Sequence, residues 1–164
     1  MSDVKAPRRG LKQRRLSVRD ELLLALLPTA TVLPMLGVAD AFGGHHLLYA
    51  SLASSAFLIY LDPEHEMSGV RSLIISQITA AGVGWMMWLL LGGGYAAAAS
   101  AIPIAILLMI LFNAVHPPAV STALAFAMHL DPRGSVVFFA IGVGITAVLV
   151  LLQRVVLSFL QRDR

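Results

Sequence analysis

The sequence contains no cysteine and little charge. Of its 164 residues, 13% are Asp, Glu, Lys or Arg and 58% are apolar. Without cysteine there is neither a disulfide frame nor a thiolate metal site. So few charges on so apolar a chain exclude an ordinary soluble domain. The apolar runs also lack any alternation of polar and apolar positions, which argues against a transmembrane β-barrel. What the chain has instead is four uncharged stretches: Leu22 to Ala39, Leu73 to Leu91, Ala96 to Val115 and Ser135 to Leu152. About 17–25 helical residues cross a bilayer core, so each of the four is long enough to span. The expected class is all-α, a polytopic helical membrane protein.

Charge is unevenly placed. Lys5, Arg8, Arg9, Lys12, Arg14, Arg15 and Arg19 crowd residues 1–19 against one acid, Asp3. Basic residues beside a first span hold that end in the cytoplasm and attract anionic lipid head groups. Residues 1–19 are therefore expected to be a basic cytoplasmic tail and 20–160 a single membrane domain. No interleaved aromatics and no docking fold accompany the tail, so nucleic acid is not an expected partner. The histidines and acids show no helical ligand spacing with a third partner and no recognised metal motif. No nucleophile elbow or HExxH occurs either. No metal, no cofactor and no enzymatic activity are expected.

Six segments follow in order. The first, from Leu22, carries Pro28 and Pro34, which should kink it. The second, Leu47 to Leu61, is short and holds Ser51, Ser54 and Ser55. After the loop Asp62-Pro63-Glu64-His65-Glu66, where Arg71 is available to an acid, the third runs to Leu91 with Gln77 inside it. Gly92-Gly93-Gly94 makes a turn into the fourth, Ala96 to Val115. Then comes Asn113-Ala114-Val115-His116-Pro117-Pro118-Ala119, the break of greatest interest. Two consecutive prolines lack backbone donors and disfavour helix in the residue before each. The fourth helix is expected to stop near His116 and a fifth, Pro118 to Leu130, to begin. A sixth runs from Ser135 to about Phe159.

The new helix start would offer the unpaired N–H groups of Ala119, Val120 and Ser121, with a partial positive charge, to a small anion. Pro118 suits a first helical turn, where its missing donor is not needed. His116 adds a donor or a full charge. Ser121 and Thr122 add hydroxyls, and Asn113 an amide. Ionisable groups at membrane depth are functional candidates by default. The candidate binding residues are thus His116, Pro117, Pro118, Ala119, Ser121, Thr122 and Asn113, with Ser51 as a counterpart from the second segment.

That counterpart comes from an internal repeat. Ala56-Phe57 and Leu61-Asp62-Pro63 recur 69 positions later as Ala125-Phe126 and Leu130-Asp131-Pro132. A long helix with Gly-Val-Gly follows each copy, at Gly82 to Gly84 and Gly142 to Gly144, glycines expected to allow close helix contact. Two three-segment halves, about 22–92 and 96–160, would carry short or broken helices at 47–61 and 118–130. An odd number of spans per half inverts the second half relative to the first, the plan of many secondary transporters. Both termini would then lie on the cytoplasmic side.

The stretch His116-Pro117-Pro118-Ala119-Val120-Ser121-Thr122-Ala123 resembles the HPP family of integral membrane proteins, whose tripeptide is usually followed by Ala-Gly-Ala-Thr-Ala. The resemblance covers about Leu22 to Leu160. The chain departs from the family at Val120, where Gly is usual. It departs also in the second segment, where Tyr49-Ala50-Ser51 keeps Ala-Ser but loses the preceding Pro and Gly. Its first loop keeps Pro63 but lacks the usual Gly-Gly-His. The resemblance implies a transporter, and some family members are linked to nitrite transport across plastid or cyanobacterial membranes. The expected function is a transporter or channel for a small inorganic anion in a bacterial inner membrane. The competing expectation is a non-transporting scaffold or subunit of a larger membrane complex. Transport predicts that Ser51, Asn113, His116 and Ser121 converge on one polar cavity; a scaffold predicts that they scatter or are sealed by backbone. A chain of this size has few helices with which to enclose a pathway, which leaves room for a homo-oligomer.

Overall fold

The computed structural model describes residues 46–62, 65–128 and 135–162, together with eight helical positions between Leu22 and Gly37. The basic tail, the two prolines of the first segment, His129 and the second Leu-Asp-Pro copy lie outside the described residues. Every described element is helical: α1 (His46–Leu61), a 3₁₀ turn (Glu66–Ser68), α2 (Val70–Leu91), α3 (Tyr95–Leu111), α4 (Ala119–Met128) and α5 (Ser135–Arg162). The short turn is held by side chain and backbone together. The Met67 N–H donates to His65 Nδ1 at 3.1 Å, and the Gly69 N–H to the Glu66 carbonyl at 3.2 Å. Between α2 and α3 the triple-glycine turn takes conformations that L side chains disfavour, with φ of 74° at Gly92 and 128° at Gly94.

Two ends of the molecule can be told apart by the bonds that cross it. At one end Arg71, in the first turn of α2, reaches the carbonyls that close α3, so these helices are antiparallel. At the other end the Gly94 N–H donates to the Ala127 carbonyl at 3.2 Å, so α4 runs away from the break toward the glycine turn. The side chain of Gln153 on α5 donates to the Ser68 carbonyl, which returns α5 to the first end. α2 lies at the centre, packed on α3, α4 and α5, while α1 packs on α4 and α5.

Small residues make this packing close. Ala97, Ala101 and Ala105 are fully buried at four-residue spacing on α3, continued by Met109, the pattern by which membrane helices bring their backbones together. On α2 the buried stripe is Leu73, Gln77, Ala80, Ala81 and Gly84. A methyl group at Gly84 would lie 2.4 Å from the Ala123 carbonyl oxygen and 2.7 Å from Phe126 Cβ, so α2 and α4 touch there backbone to backbone. Gly82 and Gly144 have open space beside them. The expected close contact therefore belongs to Gly84 and not to them; Gly82, two residues away, points some 200° around the helix.

Polarity is arranged inside out. Ser51, Ser55, Ser76, Gln77, His116 and Thr122 are buried, while Ile78, Met86, Leu90, Leu107, Ile110 and Leu111 are more than half exposed. Water would penalise that surface and a hydrocarbon solvent would not. Of the expected spans, Val70–Leu91 is the one helix among the described residues that is long and apolar enough to cross a membrane. α3 has 17 residues and α4 has 10. At 1.5 Å per residue α4 rises about 15 Å, half of a bilayer core about 30 Å thick; it does not cross by itself.

α3 ends earlier than its apolar run, at Leu111 rather than near His116. The cause is Asn113, which takes the left-handed conformation (φ 49°). Its N–H donates to the Ile110 carbonyl at 3.0 Å and that of Ala114 to Met109 at 2.9 Å, the paired bonds of a Schellman cap. The prolines do not stop α3; they begin the next helix. Because a β-carbon in this conformation costs about 1–2 kcal/mol and Asn tolerates it better than most residues, Asn113→Ala should lower stability by about 1 kcal/mol. Asn113→Gly should match or exceed the wild type. Thermal unfolding in detergent compares the three.

Candidate functional site

The break brings His116 into the centre of the protein, where it is fully buried. Its Nδ1 lies 2.8 Å from the Met67 carbonyl and its Nε2 lies 2.8 Å from Ser55 Oγ. A carbonyl can only accept, so Nδ1 carries a proton. In the neutral ring Nε2 is then the acceptor and the Ser55 hydroxyl donates to it. The 3₁₀ turn before α2 and the middle of α1 thus hold the imidazole from opposite sides.

One helical turn back on α1, Ser51 faces the same interior. Its hydroxyl donates to the Pro118 carbonyl at 2.8 Å. Gln77 Nε2 on α2 approaches Ser51 Oγ at 3.4 Å. Thr122 Oγ1 on α4 lies 2.9 Å from Ser51 Oγ and 2.7 Å from Gln77 Oε1. Its single proton serves one of these acceptors at a time. Ser51, Gln77 and Thr122 are each at least 98% buried. Five side chains from three helices and the break therefore form one polar core.

The start of α4 differs from its expected form. The N–H groups of Ala119, Val120 and Ser121 donate to the carbonyls of His116, Pro117 and Pro118 at 3.0, 3.1 and 3.1 Å. The first turn is wound tightly enough for each to find a partner three residues back. These donors are not the unpaired anion-binding groups that two prolines suggest. Pro118 and Ala119 are buried, Pro117 is exposed and Ser121 is half-buried. Ser121 makes no side-chain hydrogen bond among the described residues.

Asn113 lies elsewhere. It is exposed and lines an open cavity of about 340 Å³ with His65, Glu66, Met67, Gly69, Arg71, Ser72 and Val115. Arg71 Nη1 donates to the Asn113 carbonyl at 2.9 Å and Nη2 to the Phe112 carbonyl at 3.0 Å. The guanidinium is drawn to the negative end of α3; among the described residues no acid pairs with it. Two of its five N–H groups are thereby engaged. The cavity stops one residue short of the polar core: Met67 holds His116 Nδ1, and Val115 precedes His116 in the chain.

An apolar exterior, a buried polar core and a His-Pro-Pro break at its centre agree with what comparison of the chain finds. A family model described as the HPP transmembrane region matches residues 13–164. The chain belongs to the HPP transmembrane family. It is accordingly a membrane protein, and its apolar surface is the one that family membership requires. No curated protein and no solved structure is significantly similar to the chain. Within this HPP-family member, Ser51, His116 and Thr122 come together as the sequence suggested, while Asn113 and Ser121 do not join them. Ser55, Gln77 and Arg71 were missed as candidates. Ser51 and Ser55 share a face at four-residue spacing, and Gln77 is a polar amide inside an otherwise largely apolar run; those were the available signals.

Proposed function

We propose that this protein is a transporter or channel for a small inorganic anion, nitrite-like by its family resemblance, working at the break between Asn113 and Thr122. The observation that carries the reading is the meeting of buried polar groups from α1, α2, α4 and the break, next to a cavity bearing Arg71. Buried polar groups are costly in a membrane protein unless paired or used. In this reading the anion enters past Arg71, and His116 closes the way by its bond to Met67. Passage requires that bond to open, after which His116, Ser51, Ser55 and Thr122 can turn their donors to the anion. Protonation of His116 would supply a charge to accompany it. Pro117, Pro118 and Ala119 shape the turn, while Asn113 and Ser121 sit at its margins.

The two-half plan supports this reading. α1 and α4, the short helices, run antiparallel, since Ser51 meets Pro118 while Ser55 meets His116. α2 packs on α4, and α5 on α1, the exchange of partners that an inverted two-fold produces. Arg71 and Arg154 lie toward the same end, which the positive-inside bias favours on the cytoplasmic side; in this reading the membrane is a bacterial inner membrane.

A second reading, a non-transporting scaffold or complex subunit, is favoured by two observations: Asn113 and Ser121 stand apart from the polar core, and the core is sealed by its own bonds. The polar groups at the break bond to each other and to backbone, and the α4 N–H groups are all engaged. Anion uptake into proteoliposomes separates the two. Transport predicts nitrite flux above that of protein-free vesicles, and a scaffold predicts no flux of any small anion.

A further inference from the structure

On the outer face of the molecule α2 and α5 leave a groove of about 490 Å³. Ile74 and Ile78 form one wall; Val143, Ala147 and Leu151 form the other. All five are exposed. At one end the groove is closed by a cation. Arg154 is exposed and makes no ion pair or hydrogen bond among the described residues. Val143, Ala147, Leu151 and Arg154 follow one another at spacings of three or four and so line one face of α5.

The geometry points to this groove as the seat of an anionic phospholipid, one acyl chain lying between α2 and α5 and the phosphate on Arg154. Two features select that occupant. From Val143 to Arg154 α5 rises about 16 Å, and the hydrocarbon of one leaflet is about 15 Å deep. With Val143 near the bilayer midplane, Arg154 stands at head-group level. The wall is apolar along that depth and charged only at its end, which is the polarity of a lipid and not that of a helix crossing the whole bilayer. Arg154 is distinct in the sequence from the basic residues Lys5 to Arg19, whose expected attraction for anionic lipid is general rather than tied to one groove.

The full chain, purified in detergent, would be equilibrated with phosphatidylglycerol or phosphatidylcholine of equal chain length, and retained lipid counted by native mass spectrometry. Wild type should prefer phosphatidylglycerol. Arg154→Gln should lower that preference about fivefold, the factor carried by one basic residue near a head group, and Arg154→Lys should keep most of it. Ala147→Trp, which fills the groove, should lower retention of both lipids. The tail is common to all variants, so the differences belong to the groove. An unchanged preference in Arg154→Gln, or unchanged retention in Ala147→Trp, would overturn the assignment. So would a wild type that is an oligomer in the mass spectrum and an Ala147→Trp variant that is a monomer, which would make the groove a contact between copies of the chain.

Discussion

Gly84→Ala should unfold at markedly lower temperature than the wild type, while Gly82→Ala, two residues away, should not. The added methyl at position 84 would stand 2.4 Å from the Ala123 oxygen and 2.7 Å from Phe126 Cβ. Neither obstacle is the end of a flexible side chain. One is backbone and the other is fixed to it, so α4 as a whole must move away from α2. Overpacking of this kind costs about 1–3 kcal/mol. At Gly82 nothing lies within 4 Å, and replacing a mid-helix glycine by alanine there removes a propensity penalty of about 1 kcal/mol. The two variants should therefore shift stability in opposite directions. Displacing α4 also displaces Thr122 from Gln77 and Ser51, so Gly84→Ala should impair whatever the polar core does, although it touches none of its polar atoms. Thermal unfolding in detergent reads the first effect. Equal melting of the two variants would contradict the close approach of α2 and α4.

His116→Ala should be the most damaging change within the core itself. It removes an imidazole that is fully buried and bonded on both sides. The Ser55 hydroxyl is left buried without its acceptor, at about 1–3 kcal/mol, and a cavity is left as well. A loss of about 3 kcal/mol is expected. Ser55→Ala by itself leaves Nε2 without a donor. Removing both partners leaves neither orphan, so the double variant should be more stable than the sum of the singles implies, by about 1 kcal/mol. Strict additivity in that cycle would show that the Ser55–His116 bond contributes nothing.

The unequal legibility of this protein in its sequence has physical causes. The helical membrane class was plain because it rests on composition and run length, which no tertiary contact alters. The glycine turn and the new helix that starts just after the prolines were plain for a similar reason: Gly and Pro act on the backbone locally. The end of α3 was misplaced because Pro117 and Pro118 are conspicuous, whereas the left-handed turn at Asn113 depends on a conformation that Asn adopts in some contexts and not others. The N–H groups of Ala119 to Ser121 were expected to be unpaired because the first N–H groups of a helix have no helical carbonyl four residues back; a tighter first turn instead pairs them with the carbonyls three residues back, and Pro117 and Pro118 accept two of those three bonds. Ser55 and Gln77 gain their significance from helices distant in the chain. Sequence spacing places Ser55 on the face of Ser51, but cannot say that His116 will stand against it.

The measurement that bears most directly on the account is nitrite uptake into proteoliposomes by wild type, His116→Ala and Ser121→Ala, at equal amounts of protein verified as folded. If His116 donates to the anion and carries its compensating charge, the wild type carries nitrite and His116→Ala lowers the flux about tenfold or more, the effect of one lost charge-assisted bond. Ser121→Ala, outside the bonded core, should stay within about twofold of the wild type. Equal flux in the wild type and His116→Ala would contradict the role given to the break.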